Sequence, residues 1–475
     1  MLFPTVTFAL FFLVVLPTSW LLMPRPARWR IFMLGASYFF YGYWNWRFVG
    51  LLVASTVWNQ AFAVLIHRSG PETARRSLLG LAVAGNLATL GYFKYSDFFV
   101  SSAQNLLEQL GIGISPRIVT VTLPVGISFF TFQALSYVID VFRRQIEPVG
   151  LVKFAVYLSF FPQLVAGPIV RAAELLPQLR ERHDPRRVDA SRAFWLIAAG
   201  LFKKVVLANF LATAIVDRVF ATPGQRSSLE VLVGVYGYAV QIYADFSGYT
   251  DIAIGLALLM GFRFPQNFDG PYTATSIQDF WRRWHMTLSR WLRDYLYVPL
   301  GGNRHGRGRT YRNLMITMVL GGLWHGAAWT FVAWGALHGG LQAFEHWRRE
   351  LRAARGMPPP PDTPGRRALR RLVTFHLVCL GWVFFRAESF ANARAVLGRL
   401  VSGWGEPSPA VTRSVLLAVL VGIGAQYVSG ATVERAIAAF SRLRPVAQGV
   451  ALGFALLLID TLGPQGVAPF IYFQF

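Results

Sequence analysis

The chain has 475 residues, 54% of them hydrophobic and 15% charged, with a mean hydropathy of +0.42; this is too apolar for an ordinary soluble domain and makes the bilayer its solvent. A formal net charge of +23 would suit nucleic-acid binding if the basic residues shared one soluble face, but they stand in short loops between apolar runs, at Arg25–Arg30, Arg68–Arg76, Arg180–Arg187 and Arg304–Arg312. That is the positive-inside pattern of cytoplasmic anchors, with attraction for anionic lipid and none implied for nucleic acid. A single cysteine, Cys379, excludes an intrachain disulfide and a cysteine-held metal, and its apolar run makes it a packing residue.

Met1–Leu22 has neither the basic start nor the small-residue cleavage site of a signal peptide, so a retained first helix is expected. Apolar runs long enough to cross a hydrocarbon core of about 30 Å follow at 3–22, 31–47, 49–66, 78–99, 119–141, 151–170, 192–216, 230–260, 313–328, 329–346, 370–386, 413–429 and 446–462. They predict an all-α polytopic protein of about 11 to 13 membrane helices. A single membrane domain over 1–475 is expected, since neither a fixed repeat nor a soluble-domain-sized stretch is visible. Gln133, Asp140 and Gln163, with Pro124, Pro162 and Pro168 close by, predict broken helices around a cavity.

Two stretches are neither spans nor short loops. The first, about 261–312, holds Phe-Pro-Gln-Asn-Phe at 264–268 and a Gly- and Arg-rich turn from Gly301 to Arg309. Between them Trp281, Trp284, His285, Leu288, Leu292 and Tyr295 recur at helical spacing beside Arg282, Arg283, Arg290, Arg293 and Asp294. Such charge is costly in lipid, so this aromatic, basic helix is expected to lie along the membrane surface or re-enter a protein-lined cavity. The second, about 347–371, carries Met357-Pro-Pro-Pro-Pro361 between basic residues and predicts an extended cytoplasmic linker.

Polar groups inside apolar runs are informative, because a bundle tolerates them mainly where they pair or line a cavity. His325 stands in Leu320-Gly-Gly-Leu-Trp-His-Gly-Ala-Ala-Trp-Thr330, among glycines that permit close backbone approach and indoles, Trp324 included, able to wall a pocket. It is either a general base for a hydroxyl or a structural histidine bonded to a neighbouring helix. His285 is a second candidate, with interfacial packing as its alternative. His338 would lie roughly 20 Å from His325 along a continuous helix, outside the same contact. The other histidines are expected to pack or face solvent.

Asp245, Ser247, Thr250 and Asp251 interrupt the apolar stretch Val231–Met260. The arginines near His285 are candidate partners, in a salt-bridge network or along a substrate path. No phosphate-cradling loop, dinucleotide fingerprint, His-Glu-x-x-His or Gly-x-Ser-x-Gly is present, so no bound cofactor or metal is expected. These features fit a membrane acyltransferase or, in a different class, a secondary transporter or export channel.

Six ordered motifs carry a closer resemblance: Leu123-Pro-Val-Gly-Ile-Ser-Phe-Phe-Thr-Phe-Gln133, Phe161-Pro-Gln-Leu-Val-Ala-Gly-Pro168, Asp245-Phe-Ser-Gly-Tyr-Thr-Asp251, Trp281-Arg-Arg-Trp-His285, Tyr297-Val-Pro-Leu-Gly-Gly-Asn-Arg304 and Gly321-Gly-Leu-Trp-His-Gly326. Together they resemble the bacterial membrane-bound O-acyltransferase family, nearest to its alginate O-acetylation branch, and similar features run on to Phe470-Ile-Tyr-Phe-Gln-Phe475. The resemblance implies a ring of tilted helices around a thin centre where funnels from both faces meet. It places His325 at the family's essential histidine and His285 at its second one.

It also implies a cytosolic thioester co-substrate, acetyl-CoA or an acyl-loaded carrier, and a polysaccharide acceptor such as alginate outside the cytoplasm. A periplasmic partner of the SGNH-hydrolase type and a location in the bacterial inner membrane are implied as well. In the mechanism it suggests, His325 is the general base, while His285 or nearby Trp and backbone groups position the donor and stabilise the oxyanion. Trp281, Arg282, Arg283, Trp284, Trp324, Asp245, Asp251, Gln133 and Asn303 are the expected donor-binding or cavity-lining residues, the arginines through donor phosphates. D-alanyl transfer to teichoic acid, which shares the histidine motifs, is the neighbouring alternative.

Overall fold

The computed structural model describes residues 1–112, 122–358, 360–464, 466 and 470–471. The start of the expected span 119–141, Pro359 of the proline run and residues 472–475 of the C-terminal motif lie outside them. Among the described residues every regular element is helical. They divide into two compact units, one of Met1–Asp189 with Leu256–Pro265, the other of Ala190–Gly255 with Gln266–Phe475.

The first unit contains α1 (Val6–Leu22), α2 (Pro26–Gly42), α3 (Arg47–Arg68), α4 (Glu72–Leu90), α5 (Ser96–Gln109), α6 (Ile127–Phe142) and α7 (Leu151–Ser159). Several of its buried polar groups pair across helices, which offsets their desolvation in a low-dielectric interior. Trp29 Nε1 donates to Ser19 Oγ at 2.8 Å between α2 and α1, and Asn59 and Asn86 exchange amide hydrogen bonds of 3.1 and 2.8 Å between α3 and α4. Tyr137 of α6 donates to Gln60 Oε1 at 2.9 Å. The expected span 151–170 is broken: α7 stops at Ser159, Phe160 turns extended, and Pro162 opens a single helical turn, Phe161–Leu164. Gln133 is fully buried in α6, and neither end of its amide has a hydrogen-bond partner among the described residues.

In the second unit α8 (Ala190–Leu201) continues through π-turns at Phe202–Ala208 and Ala212–Val216 as far as Ala221, and packs beside α9 (Ser228–Leu259). Glycines set the contact, because a Cβ on Gly248 would stand 2.7 Å from the Gly200 carbonyl oxygen and one on Gly255 2.8 Å from that of Ala193. The first π-turn carries Lys203 and Lys204, which meet the carboxylates of α9. Lys204 Nζ lies 2.5 Å from Asp245 Oδ1, with side chains 5% and 4% exposed, and Lys203 pairs with Asp251. The expected partners were arginines near His285; the actual ones are lysines on the adjacent helix, which the π-turn points across the contact. The Ile471 amide donates to Asp245 Oδ2 at 2.6 Å and completes that carboxylate's bonding.

The single amphipathic helix expected across 281–295 is two short ones, α10 (Ile277–Arg283) and α11 (Met286–Leu292), interrupted at His285. Next come α12 (Arg307–His325) and α13 (Trp329–Ala354), a helical hairpin seated on glycine. A Cβ on Gly335 would stand 2.4 Å from the Met318 carbonyl oxygen and one on Gly322 2.2 Å from that of Phe331. Backbone atoms cannot yield locally, so Gly335→Ala is expected to part the hairpin and cost about 1–3 kcal/mol or more. A lowered midpoint in thermal unfolding of the purified protein checks this; an unchanged midpoint would mean the hairpin repacks freely.

Then follow α14 (Pro364–Arg386), α15 (Phe390–Ser402), α16 (Arg413–Gly424), α17 (Gly430–Ser441) and α18 (Pro445–Leu462). The linker expected over 347–371 is shorter, since α13 runs on to Ala354 and Pro364 opens α14 behind a Thr363 cap. Within it the Arg367 guanidinium holds the Asp362 carboxyl below the usual carboxylate range. No apolar run foretold α15 or α17.

Among the described residues, four helices are long and apolar enough to cross a membrane: α3, Ala190–Ala221, α14 and α18. A fifth results if α16 and its following turn are joined to α17 across a 94° bend. Other apolar runs are realised as helices that miss this standard: α1 and α6 have 17 and 16 residues, and α9, though 32 residues long, is interrupted by polar residues, Asp245 and Asp251 among them, that lower its hydropathy.

Candidate active site

His325 is the last residue of α12, because Gly326 leaves the helix with φ −158° and two alanines lead into α13. The side chain is 2% exposed. Trp334 stands edge-on to its ring at 5.2 Å, Phe385 at 5.2 Å and Trp324 at 5.0 Å between centroids. Gly326 cannot be enlarged without striking Phe331, since an added Cβ would lie 2.0 Å from that ring.

His285 arrives from a different direction. It occupies the gap between α10 and α11 with φ +41°, a left-handed backbone that a non-glycine residue adopts only when its surroundings hold it there. Asn267, from the Phe-Pro-Gln-Asn-Phe segment, does so: its carbonyl accepts from Met286 N at 2.9 Å, and its side-chain Oδ1 accepts from Thr287 N at 3.2 Å and Thr287 Oγ1 at 2.9 Å. The same Oδ1 lies 3.2 Å from His285 Nδ1. His285 is fully buried, with Phe246 edge-on at 4.6 Å.

The two imidazoles face each other at 6.4 Å between centroids, with Trp324 5.9 Å from His285 and packed against both. Such a pair, walled by indoles and shielded from water, can move a proton to or from a reacting group placed beside it.

His338 is closer to this centre than a continuous helix would allow. The break at Gly326 folds α13 back on α12, and Trp334 then touches both His325 at 5.2 Å and His338 at 4.9 Å. Trp281 Nε1 donates to His338 Nδ1 at 3.3 Å, which ties α10, just ahead of His285, to the hairpin carrying His325. Trp284 is buried against Trp382 at 4.9 Å, and Trp382 contacts Phe385 beside His325.

The remaining expected residues sort by place. Arg283 is paired with Asp279 at 2.9 Å and Asp269 at 3.7 Å, whereas Arg282 is exposed and enters no described ion pair. Asp245 and Asp251 are held by the lysines of the neighbouring helix, and Asn303 is exposed in the turn after Tyr297. Gln133 belongs to the first unit. The residues that sequence reasoning passed over are Asn267, Trp334, Phe385 and Glu345, whose carboxylate accepts the Ile277 and Gln278 amides at 2.7 and 3.1 Å and anchors the start of α10. Only Asn267 lay within a segment already conspicuous in the sequence.

The sequence pattern of the membrane-bound O-acyltransferase family matches residues 85–378, which include both histidines. This chain belongs to that family. It is therefore a multi-pass membrane O-acyltransferase, and the transporter alternative falls away. It is 45% identical over 369 residues to a probable alginate O-acetylase AlgI of Azotobacter vinelandii, covering 77% of this chain and 71% of that protein. Against a peptidoglycan O-acetyltransferase of Helicobacter pylori the identity is 37% over 408 residues, 79% and 74% of the two chains. A teichoic acid D-alanyltransferase of Streptococcus thermophilus is more distant, 30% identical over 280 residues, 55% and 68% of the two.

Proposed function

We propose that this enzyme acetylates an extracytoplasmic polysaccharide, using a cytosolic thioester donor, acetyl-CoA or an acyl-loaded carrier, from the bacterial inner membrane. The observation that carries the reading is the buried His285–His325 pair, in a chain whose relatives named alginate O-acetylase and peptidoglycan O-acetyltransferase match over most of its length. Alginate is the first acceptor to try, and a periplasmic partner of the SGNH-hydrolase type is the expected recipient where transfer is indirect.

In the chemistry proposed, an acceptor hydroxyl attacks the thioester carbonyl while His325 takes its proton. The oxygen–acyl bond forms, the sulfur–acyl bond breaks, and the proton is returned to the leaving thiolate. The test supplies purified protein in nanodiscs with radiolabelled acetyl-CoA or, separately, an acetyl-loaded carrier, together with acceptor and partner. Label leaving either thioester supports the reading, and inertness toward both overturns it.

Arg282 is the arginine proposed to meet the donor's phosphates, because Arg283 already serves two carboxylates. Arg282→Glu is expected to weaken donor binding by about tenfold, the order of one lost charge-assisted contact with added repulsion. Arg283→Gln should act through stability instead. Equal donor affinity in wild type and Arg282→Glu, measured by titration, would remove the arginine from the donor site.

A further inference from the structure

The hydrogen bonds around Asn267 determine which nitrogen of His285 carries its proton. A backbone N–H can only donate, so the atom of Asn267 that faces Thr287 N at 3.2 Å is the carbonyl Oδ1, and the amide cannot be turned the other way. That oxygen is an acceptor only. His285 Nδ1, 3.2 Å from it, must then supply the hydrogen. In a neutral imidazole this leaves Nε2 as the bare lone pair. Nε2 is buried and has no hydrogen-bond partner among the described residues, although the ring as a whole is fully enclosed. A buried acceptor left open in this way costs stability unless something completes it.

We infer that Asn267 is a positioning residue: it locks His285 in the Nδ1–H form, so that His285 meets the substrates at Nε2 as a hydrogen-bond acceptor and not as an oxyanion donor. The inference rests on the acyltransfer reading above for what the acceptor is used on. It divides the work of the pair. Neutral His285 receives an O–H or N–H of a bound substrate, while the negative charge that develops on the carbonyl oxygen must be met by other donors. The left-handed backbone at His285 belongs to the same device, since the Asn267 carbonyl and side chain hold the Met286 and Thr287 amides that fix the turn.

Nitrogen-15 NMR of the full-length protein labelled at histidine reads this directly. The chain has 8 histidines, and the His285 signals are those absent from His285→Gln. The expected spectrum shows a protonated, pyrrole-type Nδ1 and a bare, pyridine-type Nε2 in wild type. Asn267→Asp, which keeps an acceptor at that point, should retain the pattern and much of the activity. Asn267→Leu should lose it, with kcat falling on the order of 10²-fold or more and the donor KM moving within about threefold, as a wrong tautomer acts on turnover and not on binding.

A wild-type His285 protonated at Nε2 would overturn the inference. So would an Asn267→Leu spectrum identical to wild type. Should Asn267→Leu fail to insert, wild type and Asn267→Asp still decide the matter. The NMR result does not depend on turnover, so the expected tautomer in a protein inert toward both donors would support the lock and sink the acyltransfer reading alone.

Discussion

His325→Ala is expected to lower thioester consumption by about 10²–10⁴-fold, the contribution of a well-placed general base, while leaving the protein inserted and folded. The chemical reason is that no other group on α12 or the start of α13 can take a proton near neutral pH. The structural reason is that the ring sits at a helix end against Trp334, Phe385 and Trp324, so truncation removes aromatic contact without breaking a helix. Lost packing of this kind costs stability but no particular step of turnover. The discriminating measurement pairs single-turnover acyl transfer with thermal unfolding of the same preparation. A stably inserted His325→Ala that transfers acyl groups at the wild-type rate would refute the assignment of the base.

Asp245→Ala is expected to be the most damaging change away from the histidines, at about 3–5 kcal/mol, because it removes the carboxylate from a buried ion pair. Lys204 and Asp245 are 5% and 4% exposed, and the same carboxylate accepts the Ile471 amide. The next residue, Phe246, is the ring that stands edge-on to His285, so loosening α9 there should also disturb the site. Replacing both partners by apolar residues, Lys204→Met with Asp245→Leu, should recover most of the loss, since two matched hydrophobes avoid the cost of desolvating both charges. Unfolding of the four proteins by graded denaturant in detergent closes the cycle. If Asp245→Ala is as stable as wild type, the pair is not the structural clamp that its burial indicates.

The family resemblance singles out His285 and His325, the structure sets their rings 6.4 Å apart between centroids, and sequence and structure differ in what they reveal about each. For His325 the motif Gly321-Gly-Leu-Trp-His-Gly326 was informative because three glycines and an indole surround the histidine, and glycine is also what lets the hairpin close around it. For His285 the helical spacing of its neighbours was misleading. Trp281, Trp284, Leu288 and Leu292 keep the period of one helix, yet the chain turns left-handed at His285 and restarts. Hydrophobic periodicity survives such a break because the pattern reports which faces are buried and not the backbone angle between them.

What the amino-acid sequence determined by itself was the apolar, all-helical character, the broken span at Pro162 and the two histidines as candidates. These follow from composition and from local rules: burial of long apolar runs, the missing amide of proline, and the cost of a polar group in an apolar stretch. The partners of Asp245 and Asp251, the return of His338 to the same aromatic wall as His325, and the Asn267 contact that orients His285 were decided only by tertiary structure. Each depends on a π-turn, a helix break or a left-handed residue that re-aims side chains from separate segments, and such changes of direction are settled by packing between elements and not by the residues that make the turn.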